Sequence, residues 1–261
     1  MNPILQNTHI NAPFPMLADF LLDRFIASRM NPEIGISAAA MDEFDFGEFE
    51  RVSKELAAGN IRVTIHGPFA DLSPGSADSE IRKLTVRRFE QLLSLIPLFK
   101  PKTVVCHAGY DWKRYVYFRE EWIENSLKIW SWLGKRLRDE GSRLMLENVY
   151  EEDPEELRVL LENLAEQDVG LCFDIGHQNV FGKTPLEKWL ESVGPYIGQI
   201  HLHDNHGKRD EHLGLGMGTI DFQPLFDYLK KRNEPFPVIT LEPHRKEAVR
   251  PCLAYLEKHL G

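Results

Sequence analysis

Apolar, β-branched runs alternate along the chain with longer amphipathic runs, and this alternation predicts strands separated by helices. The strand-like runs cover residues 4–10, 33–37, 61–66, 102–107, 142–147, 169–174, 196–203 and 236–242. The helix-like runs cover residues 14–28, 46–59, 78–99, 117–140, 153–166, 184–193, 221–232 and 246–260. Start and stop signals support some boundaries, such as Asp153 as a helix cap with Pro154 at the first helical position, and Gly141 after a helix end.

Strands that alternate with helices are typical of a parallel sheet with crossover helices. At 261 residues, the α/β fold that we predict is a single (β/α)8 TIM barrel, with an open doubly wound sheet as the alternative. A glycine-rich dinucleotide fingerprint after an early strand and a P-loop motif are both absent from the sequence, which disfavours those two folds. Because the sequence has no long linker, composition shift or internal repeat, we expect residues 1–261 to form one domain.

The composition is that of an ordinary globular protein, with 43% hydrophobic and 27% charged residues. A formal net charge of −9 disfavours a nonspecific nucleic-acid partner, which usually binds a basic surface. The three cysteines are widely spaced and form no CxxC motif, as expected for a reducing compartment. Without a signal-peptide pattern or an apolar run of membrane-spanning length, we expect a cytoplasmic protein with no membrane partner. The sequence does not predict an oligomeric state.

Histidines and acids stand at the ends of six consecutive predicted strands. They are His66, His107, Glu147, Asp174 with His177 just after it, His201 with His203, and Glu242. In a barrel the carboxyl ends of the strands open onto one face, so these side chains should converge there. Their apolar neighbours should face the helices, because side chains alternate along a strand.

Each of these residues alone is more often a hydrogen-bonded structural residue than a metal ligand. As a set, however, these residues favour metal binding, because several carboxylates buried in one place repel one another unless a cation neutralises them. Imidazole and carboxylate ligands suit zinc, manganese, iron or cobalt better than calcium. The expected cofactor is therefore a divalent metal, with one to three ions per chain.

Ordered motifs along these strands resemble the xylose isomerase-like TIM-barrel superfamily, which includes endonuclease IV and many sugar isomerases and epimerases. The motifs are HGPF (66–69), CHAGY (106–110), LEN (146–148), CFDIGH (172–177), HLHD (201–204), DEHLGLGMGTID (210–221) and LEP (241–243). The resemblance covers nearly the whole chain from position 61 onward and is weak in the first 60 residues.

The resemblance implies two alternative metal arrangements. The endonuclease IV pattern implies three metal sites: the first with His66, His107 and the bridging Glu147, the second with Glu147, Asp174, His201 and Glu242, and the third with His177, Asp210 and His212. The sugar isomerase pattern implies one metal at Glu147, Asp174, His201 and Glu242, with the two glutamates as the acid/base pair. Under that second pattern, the remaining histidines and Asp210 hold further metals or contact the substrate.

The same ligands permit two chemistries, so fold and motif do not decide between them. The acidic charge, the short chain and the Asn205 and His206 that follow HLHD favour isomerisation or epimerisation of a small sugar or sugar-phosphate-like compound. The alternative is an endonuclease IV-like zinc hydrolase of abasic DNA, and a non-enzymatic metal- or sugar-binding barrel ranks third. Four further residues are predicted to contact the substrate: His203, Asn148, Arg245 and Tyr110.

Overall fold

Eight parallel strands close into a barrel in chain order in the computed structural model, which describes residues 3–260. The strands are β1 Thr8–Pro13, β2 Asn31–Gly35, β3 Thr64–His66, β4 Thr103–His107, β5 Arg143–Glu147, β6 Gly170–Asp174, β7 Ile197–Leu202 and β8 Val238–Leu241. Closure is direct, because β1 pairs with β8 as well as with β2. The predicted (β/α)8 barrel is confirmed, and the open doubly wound sheet is excluded.

Helices surround the barrel and connect successive strands. Their bounds are Pro3–Gln6, Phe14–Met16, Leu22–Ser28, Ala38–Glu43, Phe46–Ala58, Ser79–Phe99, Trp112–Tyr115, Arg119–Asp139, Glu155–Asn163, Ile175–Phe181, Leu186–Val193, Gln223–Lys231 and Val249–His259. Shorter turns of 3-10 type cover Ala165–Gln167, Gly194–Tyr196 and Lys246–Ala248, and a π-helical turn covers Leu17–Leu21. In the part of the chain that the structure describes, no helix has both the length and the apolar character to cross a membrane.

The predicted boundaries need small corrections at helix starts. Pro154 precedes the helix Glu155–Asn163 rather than occupying its first position, although the Asp153 carboxylate still accepts a hydrogen bond from the Glu155 amide at 2.9 Å. The run 14–28 is not one regular helix, since the π-helical turn interrupts it. Gly141 has the left-handed backbone (φ 79°) expected just after a helix end.

The barrel wall separates an apolar outer layer from an interior that becomes polar at the carboxyl ends of the strands. Ile65, Cys106, Leu146 and Phe173 are fully buried in the main core between strands and helices, as the alternation predicts. Inside the barrel, Val105, Met145 and Cys172 form a separate apolar cluster. Above this cluster, at the carboxyl ends of the strands, the interior side chains are histidines and acids.

Candidate metal centre

The structure brings all nine predicted ligands together at the carboxyl end of the barrel. Six lie at or just beyond the ends of β3 to β8, His177 lies in the helix that follows β6, and Asp210 and His212 lie in the loop after β7. They form three overlapping clusters of imidazole and carboxylate groups. The potential ligand atoms lie within 4.8 Å of one another in three sets: His66, His107 and Glu147; Glu147, Asp174 and His201; and His177, His203, Asp210 and His212.

The first cluster joins β3, β4 and β5. His66 Nε2 is 3.0 Å from Glu147 Oε2, and His107 Nε2 is 3.6 Å from the same oxygen. The Phe69 ring stacks on His107 with centroids 4.3 Å apart and holds that imidazole in place. One carboxylate oxygen thus faces two imidazole nitrogens.

The second cluster centres on His201, which is fully buried. Its Nδ1 is 3.4 Å from Glu147 Oε1, 3.3 Å from Glu242 Oε1 and 3.9 Å from Asp174 Oδ2. Glu147 therefore belongs to two clusters, because its other oxygen faces His66 and His107. This is the bridging position that the family resemblance implies.

The third cluster contains one residue more than the predicted set. Asp210 Oδ2 is 3.3 Å from His177 Nε2 and 3.1 Å from His212 Nε2, while its Oδ1 is 3.6 Å from His203 Nε2. His203 also lies 3.2 Å from Asp174 Oδ1. The sequence suggested His203 as a substrate contact, but the structure places its ring in the third cluster, fully buried.

Backbone carbonyls orient three of the histidines. The Nδ1 atoms of His66, His177 and His212 lie 2.9, 3.0 and 3.0 Å from the carbonyl oxygens of Gly67, Asn148 and Glu242, respectively. A carbonyl only accepts, so each Nδ1 carries a proton, and each Nε2 faces a carboxylate oxygen at 3.0–3.3 Å, where a metal could lie between them. This is the usual arrangement of metal-ligating histidines, whose outer nitrogen donates to a second group.

The loop that carries Asp210 and His212 is fixed by Asp204, whose carboxylate is fully buried. It accepts hydrogen bonds from the backbone amides of Gly216, Gly218 and Ile220 at 2.9–3.1 Å. A β-carbon on Gly218 would lie only 2.4 Å from Asp204 Oδ1, so glycine is required there for close approach. The glycines of DEHLGLGMG therefore wrap the loop around a carboxylate of the protein itself.

Sequence reasoning missed Glu33, which lies in the middle of β2 and is fully buried beneath the second cluster. Its Oε1 is 2.9 Å from His201 Nε2, the nitrogen on the far side of the ring from Glu147, at ion-pair distance but without a well-aligned hydrogen bond. Its Oε2 accepts from the hydroxyls of Thr64 and Thr240 at 3.1 Å and from the Gln199 amide. The available signal was the one acid of the strand-like run 33–37.

Sequence reasoning also missed Asn11 and His9, both on β1. Asn11 Nδ2 donates to Glu242 Oε1 at 3.2 Å. His9 is buried, and burial lowers its pKa to about 4. Within residues 3–260 neither of its ring nitrogens has a hydrogen-bond partner. The resemblance is weak in this part of the chain, so no motif singled these residues out.

The three clusters together line a cup at the carboxyl end of the barrel. The pKa values of its two central glutamates, Glu147 and Glu242, are shifted in opposite directions. Burial would raise the pKa of Glu147, but the charge of His201 and the hydrogen bonds of His177 and His201 hold it well below its usual value. For Glu242, burial together with the charges of Glu147 and Glu33 outweighs His201 and raises the pKa. Burial lowers the pKa of His107 to about 3, so that ring is neutral.

The other three predicted substrate contacts lie in different places. The Asn148 side chain is buried and pairs with the backbone of Asp174 in both directions at 2.8 Å, which ties the end of β5 to the end of β6. Tyr110 is buried against Trp122, with ring centroids 4.9 Å apart. Arg245 lines a groove beside the cup together with His212 and His244. A role in substrate binding stays a prediction for all three.

A cavity of about 480 Å³ opens above the clusters, within the size range of small-molecule sites. Its floor includes ligands from all three clusters, and its rim includes Phe69, Tyr150 and His244. The His244 ring stacks on His212 with centroids 4.0 Å apart. The cup is therefore open to a small ligand from one side.

The donor set fits divalent cations on two observations. Among the described residues, Asp174 Oδ2, His201 Nδ1 and both ring nitrogens of His203 are buried in the cup without a hydrogen-bond partner. A buried polar atom without a partner is costly. Asp174 Oδ2, His201 Nδ1 and His203 Nε2 each face a group of opposite or complementary charge. Nitrogen and oxygen donors in these clusters match the ligands of zinc, manganese, iron and cobalt.

Fold and cup together define the class of protein: the chain belongs to the family of xylose isomerase-like TIM barrels, whose sequence model matches residues 31–259. Among curated proteins it is similar to MJ1311 of Methanocaldococcus jannaschii, an uncharacterized protein. The two are 33% identical over 182 residues, which are 66% of this chain and 61% of that protein. The chain thus matches less than two thirds of the length of this relative.

Among solved structures it is similar to the TTHB071 protein of Thermus thermophilus, whose structure was determined after soaking with ZnCl2. That chain is 28% identical with a TM-score of 0.81, and the match covers 97% of both chains. A D-tagatose 3-epimerase-like protein has a TM-score of 0.78 at 24% identity, again over 97% of both chains, and this likeness shows the fold alone.

Proposed function

We propose that this protein is a divalent-metal-dependent isomerase or epimerase of a small sugar or a sugar-like hydroxy-carbonyl compound. The observation that carries the proposal is the position of Glu147 and Glu242. Their carboxylates lie 3.4 and 3.3 Å from one nitrogen of His201 and both line the floor of the small cavity. The D-tagatose 3-epimerase-like neighbour shows that a protein named for sugar epimerisation shares this fold.

Glu147, Asp174, His201 and Glu242 would hold the metal that the reaction needs. When bound there, a divalent cation supplies Lewis-acid polarisation of a substrate carbonyl oxygen. His201 is aligned for this role by Glu33, which lies against its other ring nitrogen. The zinc-soaked neighbour supports zinc as one candidate cation.

Glu147 and Glu242 would move the proton. One carboxylate removes the proton from the carbon beside the carbonyl, and the other glutamate, in its acid form, returns a proton. Return to the opposite face of the same carbon gives an epimer, and return to the adjacent carbon gives an isomer. Asn11 holds one oxygen of Glu242 by a hydrogen bond, which keeps this carboxylate at the cavity floor.

The experiment is proton exchange with solvent. Metal-loaded protein is incubated with a panel of ketoses in deuterium oxide, and deuterium at the carbon beside the carbonyl is followed by NMR. Exchange should occur with the unsubstituted protein and fall by about 10²- to 10⁴-fold in Glu242→Gln, the usual contribution of a general acid/base. The control is Glu151→Gln, which changes a buried glutamate whose carboxylate accepts from the Val149 amide. Absence of exchange across the panel in fully metallated protein would contradict the proposal.

A hydrolase of phosphodiesters is the second candidate, and one observation favours it. The nine residues that the endonuclease IV pattern implies as ligands lie at the same end of the barrel, and neighbouring metals held there would activate water and stabilise the charge of a phosphodiester transition state. Incision of a duplex with an abasic site by the unsubstituted protein, and its loss in Glu147→Gln, would decide for this candidate. Intact duplex after prolonged incubation with the zinc-loaded protein would remove it.

A further inference from the structure

We propose that His203 is a fourth protein ligand of the third cluster, so that Asp210, His177, His203 and His212 hold a metal ion in a closed, structural site. The inference rests on the proposed function only in that both need a divalent cation in the cup. It assigns the third cation to holding the loop 205–221 and not to the reacting substrate.

The spacing of the four side chains suits a single ion. With metal–ligand bonds of about 2.0–2.1 Å, two ligands of a tetrahedral zinc ion lie roughly 3.3 Å apart. The nitrogens of His177, His212 and His203 lie 3.3, 3.1 and 3.6 Å from a carboxylate oxygen of Asp210. All four potential ligand atoms lie within 4.8 Å of one another. Small side-chain adjustments would therefore bring all four onto one ion.

His203 has no hydrogen bond that would give its ring another role. It is fully buried, and across residues 3–260 neither ring nitrogen has a hydrogen bond of acceptable geometry, although Asp174 Oδ1 lies 3.2 Å from Nε2. His212 stacks on His203 with centroids 3.9 Å apart and planes inclined by 13°. The ring is thus held in one orientation, with Nε2 between the carboxylates of Asp174 and Asp210.

The backbone makes room for the ring at this position. A β-carbon on Gly176 would lie only 2.0 Å from His203 Cε1, so any other residue at 176 would displace the imidazole. His203 is also absent from the described residues that line the cavity, whereas His177, Asp210 and His212 line it. The ring therefore approaches the cluster from beneath, on the side away from the substrate.

Four protein ligands have a chemical consequence. Structural zinc sites are four-coordinate and closed, while catalytic sites keep a position open for water or substrate. A closed third site would fix the loop that carries Asp210 and His212 over the cavity. A cation in the third cluster would then have no open position for an attacking water, so the presence of this cluster would give no argument for hydrolysis.

The test uses cobalt as a spectroscopic probe in the full-length protein. Chelator-stripped protein is titrated with Co²⁺, and the number of bound ions and the visible absorption are recorded. The unsubstituted protein should show the intense visible band of four-coordinate cobalt, and His203→Asn should lose the part of that band that one ion contributes and bind that ion at least tenfold more weakly. The matched control is His244→Asn, which removes a ring that stacks on His212. It should keep the band.

An unchanged band and unchanged affinity in His203→Asn would overturn the proposal and leave His203 as a partner of Asp174 only. Anomalous scattering from zinc-loaded crystals of the unsubstituted protein gives an answer that does not depend on a variant folding. A metal within bonding distance of His203 Nε2 supports the proposal, and a metal bound by the other three residues alone overturns it. Failure of the isomerase proposal would appear separately, as an absence of deuterium exchange while the cobalt band persists.

Discussion

Replacing Glu33 by glutamine should weaken metal binding at the second cluster without changing any predicted ligand. Glu33 Oε1 lies 2.9 Å from His201 Nε2, while His201 Nδ1 faces the cluster. For Nδ1 to donate a lone pair to a metal, Nε2 must carry the proton, and Glu33 stabilises that tautomer. Both side chains are fully buried, so solvent does not screen the interaction.

The expected loss of metal affinity follows from the interactions of Glu33 that glutamine keeps and those that it removes. Substitution of groups that orient a metal ligand typically costs about 10- to 100-fold in metal affinity, or about 1.4–2.7 kcal/mol. Glutamine keeps one oxygen that can face His201, but it removes the negative charge and turns an NH2 group towards Gln199 and the hydroxyls of Thr64 and Thr240. We therefore expect a loss near tenfold for this isosteric change.

The assay is competition for zinc against a chromophoric chelator, with the number of ions counted by elemental analysis. Glu151→Gln is the matched control, since it makes the same change at a carboxylate that is 2% exposed and bonded to the Val149 amide. It should stay within about threefold of the unsubstituted protein, the spread expected for a change outside the ligand shell. A folded Glu33→Gln protein that binds the same number of ions with unchanged affinity would refute the reasoning.

Three further outcomes concern stability. Asp204→Asn should cost about 3 kcal/mol or more in the free energy of unfolding, because the carboxylate accepts from several backbone amides of one loop, and limited proteolysis should then cut within residues 206–218; an uncut loop would contradict this. Gly75→Ala should cost more than Gly141→Ala in urea unfolding, since its β-carbon would lie 2.2 Å from Trp122 Cδ1. By contrast, no described atom lies within 4 Å of the added carbon at Gly141, where only the φ of 79° costs about 1–2 kcal/mol; equal losses would contradict this. Burial raises the pKa of Glu151 from 4.5 to about 7, so the unfolded chain ionises first and the carboxylate opposes folding increasingly between those pH values. The stability of Glu151→Gln relative to the unsubstituted protein should therefore rise by up to about 3 kcal/mol from pH 4.5 to 7, and a constant difference would refute it.

The barrel and most of its cup were predictable because strand ends are visible in a sequence. Each apolar run that ends in a histidine or acid places that side chain at the carboxyl face once the barrel is accepted. His66, His107 and Glu147 were found in this way, and the register confirms that His107 lies beside Glu147 on the neighbouring strand. To predict that these side chains converge on one face, only the order and direction of the strands are needed, and the alternating pattern indicates both.

Contacts that depend on loop paths and strand depth were not predictable. Glu33 lies inside β2 and below the ligands, so no strand-end pattern marked it. Asp204 is the last residue of the motif HLHD, yet its oxygens accept hydrogen bonds from amides up to 16 positions away along the chain. Tyr110 follows a strand-end histidine, but the chain turns it towards Trp122. Such orientations arise from packing among distant segments, which residue spacing alone does not specify.

The three clusters share carboxylates, and this sharing explains why acids are buried in the middle of the barrel mouth. Glu147 faces both the first and the second cluster, and Asp174 faces His201 in the second and His203 in the third. A carboxylate that lies between two cations is attracted to both of them. This attraction offsets the free-energy cost of removing the carboxylate from water. Removal of a shared carboxylate therefore affects two clusters, whereas removal of an unshared imidazole such as His107 affects one. The positions most sensitive to change should thus be those at the centre of the cup, where the strands β5, β6 and β7 lie side by side.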